Sequence, residues 1–277
     1  MSTSVPRTAL ADGTEIDVLG YGVYKVPPED TAGLCSTALA AGYRLLDTAA
    51  LYGNETGVGA AARAFLEGAD RQDLFITSKV WNDDHGFDAT LRAFDATMDR
   101  LGLDRLDLYL IHWPCAPRDL YVESWRALDR LRAEGRVRSI GVSNFQRPHL
   151  ERLVTETGVV PAINQIELHP YLQQRELRAF HAQHGITTQA WSPLGRGRVL
   201  DDPVIVRISE ELGRTPAQVI LRWHLQHGIL TIPKASSRER ISSNLDVFGF
   251  TLEEAHVADL DVLDRDQRFG SHPDRVG

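Results

Sequence analysis

Asp47 and Tyr52 lie five positions apart in the run Asp47-Thr48-Ala49-Ala50-Leu51-Tyr52-Gly53-Asn54-Glu55. Arg44-Leu45-Leu46 reads as a short buried strand that ends at Asp47, and residues 54–65 read as an Ala-rich helix. A phenol on a strand-to-helix loop, with a carboxylate at the loop's base, is a candidate proton donor beside a group that tunes it. The stretch also fits a turn tyrosine following a helix-capping aspartate. Other strand ends carry chemistry of the same kind. Leu74-Phe75-Ile76-Thr77-Ser78 runs into Lys79, and Leu108-Tyr109-Leu110-Ile111 runs into His112-Trp113-Pro114. Further runs end at Ser143-Asn144, Gln165-Ile166-Glu167, Trp191-Ser192-Pro193 and Pro233-Lys234. Each could be a packing or solvated residue by itself. Polar or aromatic groups at every end are hard to explain by packing alone.

The elements that must position these groups alternate. Apolar runs begin near Leu19, Arg44, Leu74, Leu106, Val137, Ile163, Ile186 and Ile229, with amphipathic stretches between them. Tyr121, Trp125, Leu128 and Leu131 share one helix face. Thr215-Pro216-Ala217-Gln218 reads as a capping box, and Thr251-Leu252-Glu253-Glu254 as a second one opening a C-terminal helix through Leu260 and Leu263. Strands alternating with helices imply a parallel sheet, and an all-apolar run such as residues 108–111 implies a strand covered on both faces. Eight such units in 277 residues fit an α/β fold, a (β/α)8 TIM barrel in a single domain spanning residues 1–277. Chemistry in such a barrel gathers at the C-terminal strand ends. The rival is an open doubly wound sheet, but Gly20-Tyr21-Gly22-Val23-Tyr24 fails the glycine fingerprint expected after its first strand. Gly57-Val58-Gly59-Ala60-Ala61-Ala62 fits that fingerprint by spelling, yet falls inside the helix after Asp47.

Composition excludes some classes. A net charge of -8 argues against nucleic acid or an acidic membrane as partner. Residues 1–7 lack the apolar core of a signal peptide, and no run approaches a membrane span, so a cytoplasmic protein is expected. Cys35 and Cys115 match no zinc or redox spacing and read as reduced thiols. The pairs His181/His184 and His224/His227 offer no third ligand, so no metal is expected. Of 30 cationic residues only three are lysines, Lys25, Lys79 and Lys234, a pointer to places where a forked guanidinium would not serve, although chance also leaves three.

Five motifs occur in order: Asp47-x4-Tyr52-Gly53-Asn54-Glu55, Thr77-Ser78-Lys79-Val80-Trp81, Leu110-Ile111-His112-Trp113-Pro114, Gly141-Val142-Ser143-Asn144-Phe145 and Ile232-Pro233-Lys234-Ala235. Together they resemble the aldo-keto reductases, over residues 19–250. Tyr21 to Pro28, Asn164-Gln165-Ile166-Glu167-Leu168-His169-Pro170 and Ser271-His272-Pro273-Asp274 look most like the bacterial 2,5-diketo-gluconate reductase branch. The resemblance implies a barrel that binds NADP(H) at its C-terminal rim and moves a hydride between nicotinamide and a small-molecule carbonyl. It implies a catalytic tetrad of Asp47, Tyr52, Lys79 and His112. Tyr52 would be the acid, Lys79 would lower its pKa, Asp47 would hold Lys79, and His112 would orient the carbonyl.

The implied cofactor set is Val23 and Asp47, then Ser143, Asn144 and Gln165 on the carboxamide and Trp191 stacked on the nicotinamide. Ser192 and Leu194 would lie beside the pyrophosphate. Ile232, Lys234, Ala235, Ser236, Arg240 and Asn244 would hold the adenosine end, with Lys234 and Arg240 on the 2′-phosphate. Ala235 stands where many relatives have serine, so Ser236 and Ser237 are the expected hydroxyls. The carbonyl pocket would be rimmed by Tyr24, Trp81 and Trp113, with Tyr52 and His112 at the reacting atom. A monomer is expected. Two other functions fit a barrel of this kind. One is an NADP(H)-sensing regulatory subunit with little turnover. The other is a Schiff-base enzyme using Lys79, which the neighbouring Asp47 opposes.

Overall fold

Side-chain alternation decides where the strand-end residues point. In the computed structural model, which describes residues 5–276, eight parallel strands form one sheet. They are β3 (Tyr21–Gly22), β4 (Leu45–Asp47), β5 (Phe75–Val80), β6 (Leu106–Ile111), β7 (Val137–Ser143), β8 (Ile163–Glu167), β9 (Thr187–Trp191) and β10 (Leu230–Thr231), paired in chain order. Residues two apart on a strand share a face. Leu45, Phe75, Leu108, Leu110 and Ile163 belong to one buried cluster. Continuing the alternation toward the C-terminal strand ends puts Asp47, Lys79, His112 and Gln165 on that same inner face. The intervening residues Leu46, Ile76, Tyr109 and Ile166 pack outward in a larger cluster with the helices.

The helices follow the strands. They are α1 (Pro28–Ala41), α2 (Glu55–Leu66), α3 (Phe87–Leu101), α4 (Tyr121–Ala133), α5 (Arg147–Thr157), α6 (Arg175–Gln183), α7 (Pro203–Leu212), α8 (Pro216–Gln226), α9 (Arg238–Leu245) and α10 (Glu254–Asp261). The face of Tyr121, Trp125, Leu128 and Leu131 is buried as its spacing requires. Thr215 caps α8 reciprocally with Gln218: Thr215 N donates to Gln218 Oε1 at 2.9 Å and Gln218 N donates to Thr215 Oγ1 at 3.2 Å.

Three expectations change. The sheet curls until its edges meet at one parallel bridge, Leu19 with Thr231, and not along a strand ladder. The (β/α)8 order is therefore present, with a seam two residues wide on each side. Pro233, which lacks an N–H, follows closely and limits the ladder there. The second change is an N-terminal hairpin of β1 (Arg7–Ala9) and β2 (Glu15–Asp17), which the apolar runs did not announce. Its Leu10 and Ile16 join the inner cluster, so the hairpin plugs the end of the sheet remote from Asp47. Third, Thr251 does not cap the last helix. Arg222 donates to its hydroxyl at 3.3 Å and Leu252 N donates to Gln226 Oε1 at 2.7 Å. That stretch is pinned to the end of α8, and α10 starts at Glu254.

Other readings find their places. His181 and His224 are buried, and His181 contacts Asn164 and Thr188. His227 pairs with Asp261 and His184 stacks on Phe180. Both cysteines are free and buried. No described helix is long and apolar enough to cross a membrane. The expected span 1–277 and the N-terminal reading include residues 1–4 and 277, outside the described range.

The Gly57-x-Gly59 spelling lies within α2, where its glycines serve packing. A Cβ on Gly59 would lie 2.0 Å from the Leu101 carbonyl oxygen at the end of α3. Alanine in an exposed helix normally stabilises relative to glycine by about 1 kcal/mol. Here Gly59→Ala is expected to reverse the sign and cost roughly 1–3 kcal/mol in a urea-unfolding measurement. Equal or greater stability would contradict the close α2–α3 contact.

Candidate active site

The inner-face residues converge on one buried ion pair. Lys79 Nζ lies 2.6 Å from Asp47 Oδ1 and donates to the Thr48 carbonyl at 2.9 Å. Lys79 is fully buried and Asp47 nearly so. Gln165 Nε2 donates to Asp47 Oδ2 at 2.8 Å and also to Gln189 Oε1 at 2.8 Å. β4, β5, β8 and β9 are thereby joined by side chains as well as by their ladders.

Tyr52 stands over this pair on the short turn after β4. Lys79 Nζ is 5.2 Å from its ring centroid. The rings of His112 and Tyr24 approach it at 5.7 and 5.1 Å. Trp81 meets the His112 ring edge-on at 5.2 Å, and Trp113 meets Trp191 at 6.5 Å. Among the described residues the Tyr52 hydroxyl makes no hydrogen bond.

The electrostatics correct one expectation. Burial first, then the Asp47 carboxylate and Tyr24, push the Tyr52 phenol well above its ordinary 10. The Lys79 ammonium, paired with Asp47, does not offset these effects. Lys79 is lowered from its ordinary value, because burial outweighs the upward push of Asp47 and Glu55. His112 is held well below 6.5 by burial, then by Lys79 and His85. It is a neutral imidazole at neutral pH and can donate from one nitrogen.

Above the pair opens a cavity of about 850 Å³. Its lining includes Tyr24, Asp47, Tyr52, Trp81, His112, Trp113, Ser143, Asn144, Gln165, Trp191, Ser192, Leu194, Ile232, Lys234, Ala235, Ser236, Arg240 and Asn244. Two expected residues are not on its wall. Lys79 lies behind Asp47. Val23 is buried, its N–H donating to the Asp47 carbonyl and its carbonyl accepting from Asn54 Nδ2 at 3.0 Å. Ser237 is not on the wall either; its hydroxyl caps α9.

The donor set fits a phosphate-bearing nicotinamide dinucleotide. Trp191 Nε1 donates to Asn144 Oδ1 at 2.8 Å, which fixes the indole plane. Asn144 Nδ2 is taken by the His112 carbonyl and Ser143 Oγ, and Gln165 Nε2 by Asp47 and Gln189. What these amides have left is acceptor capacity, suited to a carboxamide NH2. Lys234 and Arg240 are exposed, and among the described residues neither is paired with a carboxylate. Tyr21 and Tyr43 hold this region from below, donating to the Ala235 and Ile241 carbonyls at 2.6 and 3.1 Å. Four wall residues, Lys25, Asn144, Ser192 and Arg196, have left-handed φ of 59°, 64°, 47° and 56°. Such strain in non-glycine residues concentrates at functional sites.

Some site residues were not anticipated. Lys25 lines the cavity, so each of the three lysines lies on or directly behind its wall. Arg196, Ser243, Ser271 and Val276 also line it, without a spacing signal. The last two residues of the Tyr52-Gly53-Asn54-Glu55 motif work beneath the site. Asn54 accepts from Thr48 Oγ1 at 2.8 Å and donates to the Val23 and Val26 carbonyls. Glu55 accepts from Ser78 Oγ at 2.5 Å and pairs with Arg100 at 2.6 Å.

The comparisons with known proteins give the family. Residues 18–265 match the Aldo/keto reductase family, and the chain belongs to that family. It is 52% identical over 268 residues to an aldo-keto reductase of Mycobacterium sp. (strain JLS), covering 97% of this chain and 96% of the relative. It is 47% identical to the glyoxal reductase of Bacillus subtilis (strain 168), covering 100% and 99% of the two chains. A mutant of Gox0644, crystallised in complex with NADPH, superposes with a TM-score of 0.95 at 47% identity, covering 99% and 100% of the two chains.

Asn54→Ala would free the Thr48 hydroxyl and two loop carbonyls beneath Tyr24. It is expected to lower stability by roughly 1–3 kcal/mol and to loosen residues 23–26. Urea unfolding and amide exchange of that loop check both effects. Wild-type stability with unchanged exchange would contradict the anchoring role.

Proposed function

We propose that this protein is an NADPH-dependent reductase of aldehyde or ketone carbonyls with Tyr52 as proton donor. The observation that carries the reading is the Tyr52 hydroxyl, held neutral beside His112 above the Lys79–Asp47 pair. The solved relative bound to NADPH and the glyoxal reductase relative support the cofactor and the reaction type. NADPH, when bound, supplies the hydride. Trp191 would face the nicotinamide, the acceptors of Asn144 and Gln165 would take its carboxamide, and Lys234 and Arg240 would hold the 2′-phosphate.

The chain's own groups do the rest. His112 donates a hydrogen bond to the carbonyl oxygen and polarises it. Hydride arrival leaves an alkoxide, far more basic than a phenolate, so Tyr52 gives up its proton despite its raised pKa. The Lys79–Asp47 pair forms the floor beneath the phenol, with Lys79 Nζ 5.2 Å from the ring centroid. Tyr24, Trp81 and Trp113 form the apolar rim that receives the substrate and excludes water. The Asn164 to Pro170 and Ser271 to Asp274 runs support a place near the 2,5-diketo-gluconate reductases. We further propose that residues 1–277 act as one cytoplasmic domain and as a monomer.

NADPH oxidation with a panel of aldehydes, ketones and a diketo sugar acid tests this directly. Wild type is expected to turn over, and Tyr52→Phe to lose about 100-fold or more in kcat while still binding NADPH. Full activity in Tyr52→Phe would remove the acid from its role. NADPH binding without turnover by wild type would favour a nucleotide-sensing subunit. Lys234→Ala is expected to weaken NADPH by about tenfold and leave NADH unchanged. Equal retention of both by fluorescence titration would overturn the 2′-phosphate assignment.

A further inference from the structure

Glu167 is a buried carboxylate with no part in the chemistry above. It ends β8, opposite Trp191 in the β8–β9 register. Its side chain is fully buried, which would be costly without partners. The partners come from the C-terminal tail. Phe269 N donates to Oε1 at 2.7 Å and Gly270 N to Oε2 at 2.9 Å. Arg268 lies 3.8 Å from Oε2, and His169 Nε2 lies 3.1 Å from Oε1.

The tail is held on both sides of that carboxylate. The Phe269 ring stacks on His169 at 4.8 Å and carries the Arg198 guanidinium at 5.0 Å on its face. Arg265 N and Gln267 N donate to the Tyr171 carbonyl at 3.2 and 2.9 Å. Gly270 then crosses Trp191 so closely that a Cβ there would lie 2.4 Å from the indole Cη2 and 2.8 Å from Glu167 Oε2. Beyond this crossing, Ser271 and Val276 come onto the cavity wall. Burial alone would raise the Glu167 pKa, yet His169 and the two tail amides hold it below its ordinary value.

We propose that Glu167 is a positioning residue. Its carboxylate clamps two consecutive tail amides, sets the tail across Trp191, and so fixes the part of the cavity wall that retains the carbonyl substrate. The substrate half of this statement rests on the reductase reading; the clamp itself does not. Charge-assisted bonds from two backbone N–H groups to one carboxylate are strong and directional. A glutamine of equal volume has one acceptor oxygen and an NH2 that would face one of the donors. Neutralising the clamp therefore releases the tail without leaving a hole.

Two variants reach the device from opposite sides. Glu167→Gln removes the charge, and Gly270→Ala keeps the charge but forces the tail off the indole. Both are measured as full chains, by deuterium exchange of the peptide spanning residues 266–276 and by steady-state kinetics with the best aldehyde of the panel. Each is expected to speed exchange of that peptide and to raise the aldehyde KM about tenfold, with kcat held within about threefold. The double variant is expected to add little to the larger single effect, because both act through one contact. Unchanged exchange in either folded variant would overturn the clamp. Faster exchange with an unchanged KM would overturn its role in substrate retention, as would an equal fall in kcat with no change in KM. If Glu167→Gln fails to fold, Gly270→Ala decides alone. If wild type reduces no carbonyl, the reductase reading fails, while tail exchange still decides the clamp.

Discussion

The rest of the site depends on the Lys79–Asp47 ion pair, closed at 2.6 Å with both side chains essentially out of water. An ammonium or a carboxylate buried alone would cost several kcal/mol and would neutralise or swell the barrel mouth. Pairing removes that penalty, but a buried pair is weak evidence for added stability. What it supplies here is position. Lys79 comes from β5, Asp47 from β4 and the Gln165 amide from β8, so the pair fixes the inner ends of three strands in one place. Breaking either partner would leave the other charged and unsatisfied.

Burial first, and then the members of this pair, set the protonation of their neighbours. For Tyr52, burial and then the Asp47 carboxylate raise the phenol, and the paired ammonium does not offset them. It remains a phenol. His112, pressed down by burial and Lys79, remains a neutral imidazole. In the proposed reaction, a neutral phenol and a neutral imidazole facing an apolar aromatic rim would deliver a proton to a forming alkoxide. They are poorly arranged for a lysine nucleophile, which would need a free amine and not a carboxylate-bound ammonium.

Much of this was legible in the sequence, for a geometric reason. Parallel strands buried on both faces read as apolar runs, and the first polar residue after each run marks the C-terminal rim. Reading those ends alone brought together Asp47, Lys79, His112, Asn144, Gln165, Trp191 and Lys234, and of these only Lys79 lies off the cavity wall. The illegible parts involve partners distant in sequence. Nothing near Thr251 predicts that Arg222 takes its hydroxyl. Nothing near Glu167 predicts that the amides of Phe269 and Gly270, about a hundred residues on, complete it. The hairpin of β1 and β2 was missed because its strands, Arg7–Ala9 and Glu15–Asp17, carry no run of apolar residues. The direction of the phenol's shift was missed because spacing shows that a lysine is near but not how deeply the ring is buried.

The most direct test of the account is the ionisation of Tyr52 itself. The 13Cζ resonance of labelled tyrosine, assigned by comparison with Tyr52→Phe, reports phenol or phenolate without turnover. The account predicts a phenol shift that holds from neutral pH through about pH 9.5 in the free protein, since the ordinary value near 10 is moved upward. A phenolate shift developing below about pH 9 would mean that Lys79 acts on the ring unscreened, and would contradict an internally compensated ion pair as the centre of the site.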